Sequence, residues 1–407
     1  QRYAHPSGEE ALVIAPISQA SARQRAGRAG RSRPDNYYAL MTEASFDSLP
    51  LQTSPEMQRC SLSSVVLSLK ALGVDNVLRF DFLSPPPPQS LANALEALYA
   101  LGALDGSGKL TNPRGESMAL LPLDPQPAAF LLSAEKEGCE EEALTLAAVL
   151  SVQSPFNTLK PADLKVAQAP FAAYEGDAIT FLNVVSAYHK QQRKHGARKA
   201  SQWCRKRLLN ERVLERIGEV RQQLGKHLAA HHRRAAEAEG GAGGGAAAES
   251  RSKKKKGGGG GTTGTDAIRR ALVGGYFASA ARHDGGGYYT SILRGSPLKL
   301  HPNSVLYGAP ADWVLLHEMT YTTVELILSA TKVNEEWLAE LAPHFYAREE
   351  GASKPADGLR MEGAPAGSKR PREEPESGPP APAPAPAGGV AAMLGESLFG
   401  GGGRTFF

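Results

Sequence analysis

The octet Gln24-Arg25-Ala26-Gly27-Arg28-Ala29-Gly30-Arg31 places an arginine at every third position and a glycine before two of them. It follows Ala11-Leu12-Val13-Ile14-Ala15-Pro16-Ile17, a short, branched, apolar run of the kind that forms a buried parallel strand. Ser18 or Ser21 then offers an N-cap. On a helix started there, Gln24, Arg28 and Arg31 stand at i, i+4 and i+7, which puts an amide and two guanidiniums on one face. A guanidinium gives charge-assisted, bidentate hydrogen bonds to phosphate oxygens, an amide orients a water, and Gly27 lets the backbone come close to a ligand. The grouping has the chemistry of an arginine finger, which stabilises charge on a phosphoryl group in transfer. An Arg/Gly-rich segment that simply lies solvated on RNA is the competing reading, but it lacks a preceding strand and a helical register.

Working outward, Ser18-Gln19-Ala20-Ser21-Ala22-Arg23 and the octet resemble the last helicase motif of the DEAH-box RNA helicases and its lead-in. The resemblance extends from residue 1 to about 346, with an interruption near 230–265. Pro55-Glu56-Met57-Gln58-Arg59, Leu69 to Asn76, Phe80-Asp81-Phe82, Pro85-Pro86-Pro87, Ala97 to Asp105 and Pro122-Leu123-Asp124-Pro125 carry it, as do Glu175-Gly176-Asp177, Trp203-Cys204, His301 to Leu306, Trp337-Leu338 and Ala342 to Tyr346. Members that act in the nucleus on pre-mRNA look nearest. No Gly-x-x-x-x-Gly-Lys-Ser/Thr loop and no Asp-Glu-Ala-His box occurs in the 407 residues. The chain is therefore expected to be a C-terminal fragment that neither binds ATP well nor hydrolyses it alone.

Composition sets the background. The 46 Lys and Arg against 42 Asp and Glu leave a net charge of +4, and no apolar run approaches bilayer length. Cys60, Cys139 and Cys204 lack the spacing of metal ligands or of a disulfide framework. The expected fold class is multidomain α/β and α+β. Its parts are the end of a second RecA-like domain (1–48), a winged helix (49–115), a ratchet-like helical bundle (116–230), a disordered low-complexity insert (231–265), an OB-fold barrel (266–347) and a disordered tail (348–407).

In the winged helix, Leu62, Val65, Val66, Leu69 and Leu72 repeat at helical spacing and stop at Gly73; Leu91, Leu95, Leu98 and Leu101 repeat again and stop at Gly102. Lys109-Leu110-Thr111 supplies the wing. The recognition helix carries Leu and Ala rather than a basic polar face, so this module reads as a structural hub instead of a base reader. In the bundle, Glu140 to Val152, Asp177 to Lys190 and Gln202 to Leu228 are amphipathic candidates. Lys190 to Arg207 between them is basic, and Lys194, Arg198 and Lys199 are candidates for phosphate contacts along a single strand. Such a charge run also serves as an ordinary solvated face.

Leu272 to Ala280, Tyr288 to Leu293, Lys299 to His301, Val305 to Tyr307, Trp313 to His317 and Thr323 to Ser329 read as the short strands of a barrel, with a helix at Glu335 to Leu341. Tyr288, Tyr289, Lys299 and His301 are candidate RNA contacts, whereas Val324 and Leu328 stand where relatives carry basic residues. Lys253 to Lys256 in the insert is either a solvated linker or an auxiliary RNA or import contact. Ser368-Lys369-Arg370-Pro371-Arg372 resembles a nuclear-import signal, and Gly400 to Gly403 with Arg404 and Phe406 is either a weak RNA-stacking segment or inert.

The resemblance implies an enzyme of the RNA helicase class. It would use ATP or another NTP with Mg²⁺ to move 3′-to-5′ on single-stranded RNA and remodel ribonucleoprotein, in a spliceosome, in the nucleus. Gln24 would position the attacking water, Arg28 and Arg31 would contact the γ-phosphate, and Arg25 would be structural or couple domains. No metal ligand is assigned within the chain. A glycine-rich G-patch activator is the implied protein partner. The alternative is a non-catalytic RNA-binding or G-patch-binding adaptor, if the product truly starts at residue 1.

Overall fold

A computed structural model of the chain describes residues 2–4, 10–13, 15–157, 160–240, 264–293, 295–321, 324–348 and 359–361. Strands β1 (Arg2–Ala4) and β2 (Glu10–Val13) pair antiparallel with each other. Helix α1 (Gln19–Ala26) is capped by Ser18, whose Oγ accepts from the Ser21 amide at 3.1 Å. Its first N–H groups also donate to Pro50 and Leu51 carbonyls at 2.9 and 3.0 Å, which satisfies the unpaired donors of a helix start. The helix then ends sooner than the sequence predicts. Gly27 is its C-cap, residues 27–30 turn, and Gly30 sits at φ 77°. Only Gln19 and Ala22 are buried on α1, so no apolar stripe carries the helix past two glycines. Gln24 is thus helical while Arg28 and Arg31 are not, and the common helical face does not form. The short α2 (Glu43–Asp47) follows, capped by Thr42.

Helices α3 (Ser63–Ala71), α4 (Pro88–Ala100) and α5 (Arg114–Leu120) build the next layer. Leu62, Val66, Leu67, Leu91, Ala94, Leu98 and Met118 meet in its core. Leu72, expected on the core face, is 80% exposed, because α3 ends one residue earlier and the chain turns at Gly73. The wing forms as a single bridge between Leu104 and Leu110. Asp105 closes it by accepting from the amides of Ser107 and Lys109 at 2.8 and 2.9 Å.

The bundle comprises α6 (Pro125–Glu137), α7 (Glu140–Leu150), α8 (Pro161–Gln168), α9 (Asp177–Lys206) and α10 (Glu211–Gly240). Phe130, Leu131, Leu146, Leu214, Ile217 and Leu224 are fully buried there. Each such side chain contributes about 1.5–3 kcal/mol relative to exposure. Two boundaries differ from the sequence reading. The expected helix from Gln202 to Leu228 is broken after Lys206, where Leu208 adopts φ 57° and Leu209 bridges to Phe156. In turn α9 runs well beyond Lys190, with a kink at Gly196 (φ 76°, ψ 168°). Residues 231–240, assigned to a disordered insert, continue α10.

Helix α11 (Gly264–Tyr276) packs along α6. A Cβ on its Gly275 would lie 2.4 Å from the Gln126 carbonyl oxygen and 2.6 Å from the Phe130 amide, so the two backbones meet directly. The stretch Leu272 to Ala280 is read from the sequence as a strand; burial of Ile268, Ala271, Leu272 and Val273 keeps it helical as far as Tyr276, a 3₁₀ turn follows over Phe277–Ser279, and extended backbone begins only at Ala280. Strands β3 (Ala280–His283), β4 (Tyr289–Ser291), β5 (Pro297–Leu300), β6 (Trp313–Tyr321) and β7 (Glu325–Lys332) follow in sheet order β6-β3-β4-β5-β7. Pairing of β7 back onto β6 closes the barrel. Tyr289, Leu298, Val314, Leu316, Ile327 and Ala330 fill it. Val305 to Tyr307 is a turn rather than a strand.

Helix α12 (Glu335–Leu341) matches its sequence prediction. Beyond it, β8 (Tyr346–Arg348), at the end of the expected OB-fold, pairs with β9 (Leu359–Met361), which lies inside the stretch expected to be tail. At the other end, β2 lies parallel to β6, with Leu12 opposite Thr320 and Val13 opposite Tyr321. The strand read as part of a RecA-like sheet is therefore a barrel neighbour among the described residues. Lys253 to Lys256, Ser368 to Arg372 and Gly400 to Phe406 lie outside those residues.

Candidate nucleic-acid interface

A buried carboxylate stands at the centre of the joint between the bundle and the barrel. Asp177, the first residue of α9, is 1% exposed. Its Oδ2 accepts from Ser304 Oγ at 2.6 Å and from the Ala330 amide at 2.9 Å, and its Oδ1 accepts from the Val305 amide at 2.9 Å. Burial lifts the carboxyl to about 6, and the three donors pull against that rise. Gly176 beside it holds φ 119° and bridges to Thr331; a Cβ there would fall 2.5 Å from the Ala330 carbonyl oxygen. The Lys332 amide donates to Glu175 at 2.8 Å, and Gln168 of α8 reaches the Asn303 carbonyl at 3.0 Å. The loop 301–307 and strand β7 are in this way fixed to α8 and α9.

Three exposed tyrosines each lie beneath an ammonium. Lys299 Nζ lies 4.3 Å from the Tyr288 ring centre, Lys165 Nζ 4.7 Å from Tyr307, and Lys332 Nζ 4.7 Å from Tyr174. Such a pair is worth about 0.5–1 kcal/mol at an exposed site, and it holds a positive charge over a flat ring. Charge for a phosphate and a face for a base are the two needs of a single-strand groove. Of the candidates, Tyr288 and Lys299 are therefore together. His301 is two residues from Lys299 along an extended stretch, which gives it the same side. Its Nδ1 accepts from the Asn303 amide at 3.1 Å, and burial lowers its pKa. A neutral imidazole there offers a ring and one N–H rather than a charge. Tyr289 is core, with its hydroxyl bonded to both the amide and the carbonyl of Ala311 at 3.0 Å.

Lys194, Arg198 and Lys199 lie elsewhere, exposed on either side of the Gly196 kink of α9. Gln24, Gly27, Arg28 and Arg31 are all exposed at the end of α1 and in the turns after it. Arg23, also exposed, donates to Gln19 Oε1 at 3.1 Å and rests over the Phe46 ring. Sequence reasoning found Lys299 and Tyr288 but missed Lys165, Tyr307, Tyr174 and Lys332. Lone lysines and tyrosines carry no periodic signal, and these meet only through tertiary packing.

Three family models match this chain in succession. Residues 94–123 match the winged-helix part of the helicase associated domain HA2, 124–211 its ratchet-like part, and 268–346 an oligonucleotide/oligosaccharide-binding (OB) fold. The chain corresponds to the C-terminal portion of the DEAH-box RNA helicases. It is 43% identical over 341 residues to a probable ATP-dependent RNA helicase DHX35 of Pongo abelii, a match covering 83% of this chain and 43% of that protein. With its Homo sapiens counterpart the figures are 42%, 83% and 44%. With the pre-mRNA-splicing factor ATP-dependent RNA helicase prp22 of Schizosaccharomyces pombe they are 37% over 344 residues, 83% and 27%. The chain thus spans less than half the length of these DEAH-box relatives. The closed barrel and the helices before it agree with the matched OB, ratchet-like and winged-helix descriptions.

Proposed function

We propose that this chain is the RNA-holding part of an ATP-dependent RNA helicase that remodels ribonucleoprotein during pre-mRNA splicing, in the nucleus. The observation that carries the reading is the 42–43% identity over 341 residues to proteins named as RNA helicases, laid over a winged helix, a ratchet-like bundle and an OB fold in that order. Residues 1–48 belong to the end of a RecA-like domain in this proposal. The exposed octet then faces a nucleotide held mainly by residues outside this chain, ATP or another NTP with Mg²⁺. Gln24 orients the attacking water, Gly27 lets the backbone approach, and Arg28 and Arg31 bond the γ-phosphate oxygens. Their place in glycine-bearing turns gives the two guanidiniums freedom to reach across a cleft, which a rigid helical face would not. Single-stranded RNA lies across the Tyr288, Lys299 and His301 side of the barrel and the basic kink of α9, and the strand advances 3′-to-5′. A G-patch protein fits as activator because the winged helix has no base-reading surface to occupy.

In a protein that joins this chain to a nucleotide-binding half, Arg28→Ala or Arg31→Ala is expected to reduce RNA-stimulated ATP turnover by about 10³ to 10⁵, the range of arginine fingers, with RNA affinity unchanged. Turnover within a few-fold of the parent for both variants would remove the octet from the γ-phosphate. RNA binding with no turnover in any such fusion would favour an adaptor.

A further inference from the structure

Outside that interface, side chains from three helices converge near the far part of α10. His231 and His232 of α10 and Glu135 of α6 each present a donor atom within 4.8 Å of the other two. Glu140, the first residue of α7, adds a carboxylate oxygen 3.5 Å from His232 Nε2, and a Glu135 oxygen stands 3.9 Å from the same nitrogen. The geometry points to a zinc site formed by His231, His232 and Glu135, with the Glu140 carboxylate as a fourth ligand.

The tautomer of His231 follows from its neighbours. Ser117 Oγ donates its proton to the Pro113 carbonyl at 2.6 Å, so at 3.0 Å from His231 Nδ1 it accepts an N–H. The Nδ1 therefore carries the ring proton and Nε2 keeps its lone pair, the state that a fixed second contact gives a metal-binding histidine. The His232 Nε2 is buried and makes no hydrogen bond. A protonated His232 held by two glutamates is the competing account. Separations of 3.5 and 3.9 Å fit it badly, since N–H···O bonds close to about 2.7–3.2 Å. Donors about 2.0–2.2 Å from a tetrahedral zinc lie roughly 3.4 Å apart, which matches the nearer pair. The farther ones close by rotation of Glu135, whose side chain is 52% exposed. Two imidazoles among the donors select a zinc-like ion over the oxygen-seeking Mg²⁺ and Ca²⁺. Bound there, the ion fastens α10 to α6 and α7, with α5 engaged through Ser117.

The test is titration of the chelator-stripped 407-residue chain with Zn²⁺ alone, followed by calorimetry, together with the visible ligand-field bands of Co²⁺ in the same place. One equivalent is expected to bind and to raise the melting temperature, and chelator is expected to reverse the shift. His231→Gln with His232→Gln should abolish the stoichiometric event, and Glu135→Gln should weaken it at least about tenfold. Ser117→Ala keeps every ligand but frees the His231 ring, and should weaken binding about 10- to 100-fold; it decides the question if the double variant fails to fold. Failure of the parent chain to bind one Zn²⁺ overturns the site, as does unchanged affinity in the folded double variant or in Ser117→Ala.

Discussion

Asp177 is the side chain on which two domains close, and its protonation works against a second buried group. Its folded carboxyl sits at about 6 through burial, against about 3.9 in an unfolded chain. The folded state therefore holds that proton more tightly, so the stability it contributes is complete below about pH 4 and is lost as the pH rises through about 6. His317 runs the other way. Burial lowers its imidazole to about 4 from about 6.5, so its contribution is present above about pH 6.5 and lost as the pH falls through about 4. The two slopes oppose each other across the same window. Asp177→Asn removes the first and leaves the second. It also turns an NH₂ toward amide and hydroxyl donors, at a cost of about 2–4 kcal/mol near neutral pH. Urea unfolding of parent and variant at about pH 7, 5.5 and 4.5 checks both effects. The variant should start lower and lose further stability toward acid relative to the parent; equal stability at neutral pH would show that the carboxylate does not hold the joint.

Elements differ in what their glycines do, which gives a pair of opposite expectations. Gly176→Ala drives a methyl into the backbone of β7, 2.5 Å from the Ala330 oxygen and 2.9 Å from Thr331 Cα, at a φ that alanine rarely adopts. It should cost about 3 kcal/mol or more and expose the Lys332 and Ala330 amides to hydrogen exchange. Gly218→Ala, inside α10 with open space around it, should raise stability by about 0.5–1 kcal/mol, since alanine is the better helix former. Thermal melts that moved in the same direction for both would contradict this reading of the two helices. Local patterns were what the sequence made legible: the stops at Gly73 and Gly102, the strand begun at Trp313, and α12 from Glu335 to Leu341. What it hid depended on distant partners. The break before α10 is set by Leu209 against Phe156, 53 residues apart, and the apolar run at Leu272, read as a strand, becomes helix because α6 is there to bury it.

For the whole molecule, the octet's residue types were legible but their setting was not, because α1 ends at Gly27 for want of a buried face. The basic residues around Gly196 were legible as charge, while the Tyr–Lys pairs and the Asp177 tie required the folded chain. Whether that charge touches a strand is a question of salt. Each phosphate neutralised on single-stranded RNA contributes about −0.7 to the slope of log affinity against log salt. Lys194→Ala, Arg198→Ala and Lys199→Ala combined should flatten the slope by about 2 if all three make contact, with the melting temperature unmoved because all three are exposed. An unaltered slope would return this surface to solvent.

The packing of α11 on α6 carries a further consequence. Phe130 and Leu131 on one side and Leu272 and Val273 on the other belong to a single buried cluster, and Arg270 reaches across to Glu137 at 3.1 Å. Residues up to Gly240 and residues from Gly264 therefore recognise each other by shape, through a seam so close that glycine alone fits at position 275. That recognition is expected to survive without covalent continuity between them. A backbone cut between those glycines would turn one chain into two complementary pieces that share one interior, and evolution could lengthen, shorten or replace the connection without altering what the pieces build.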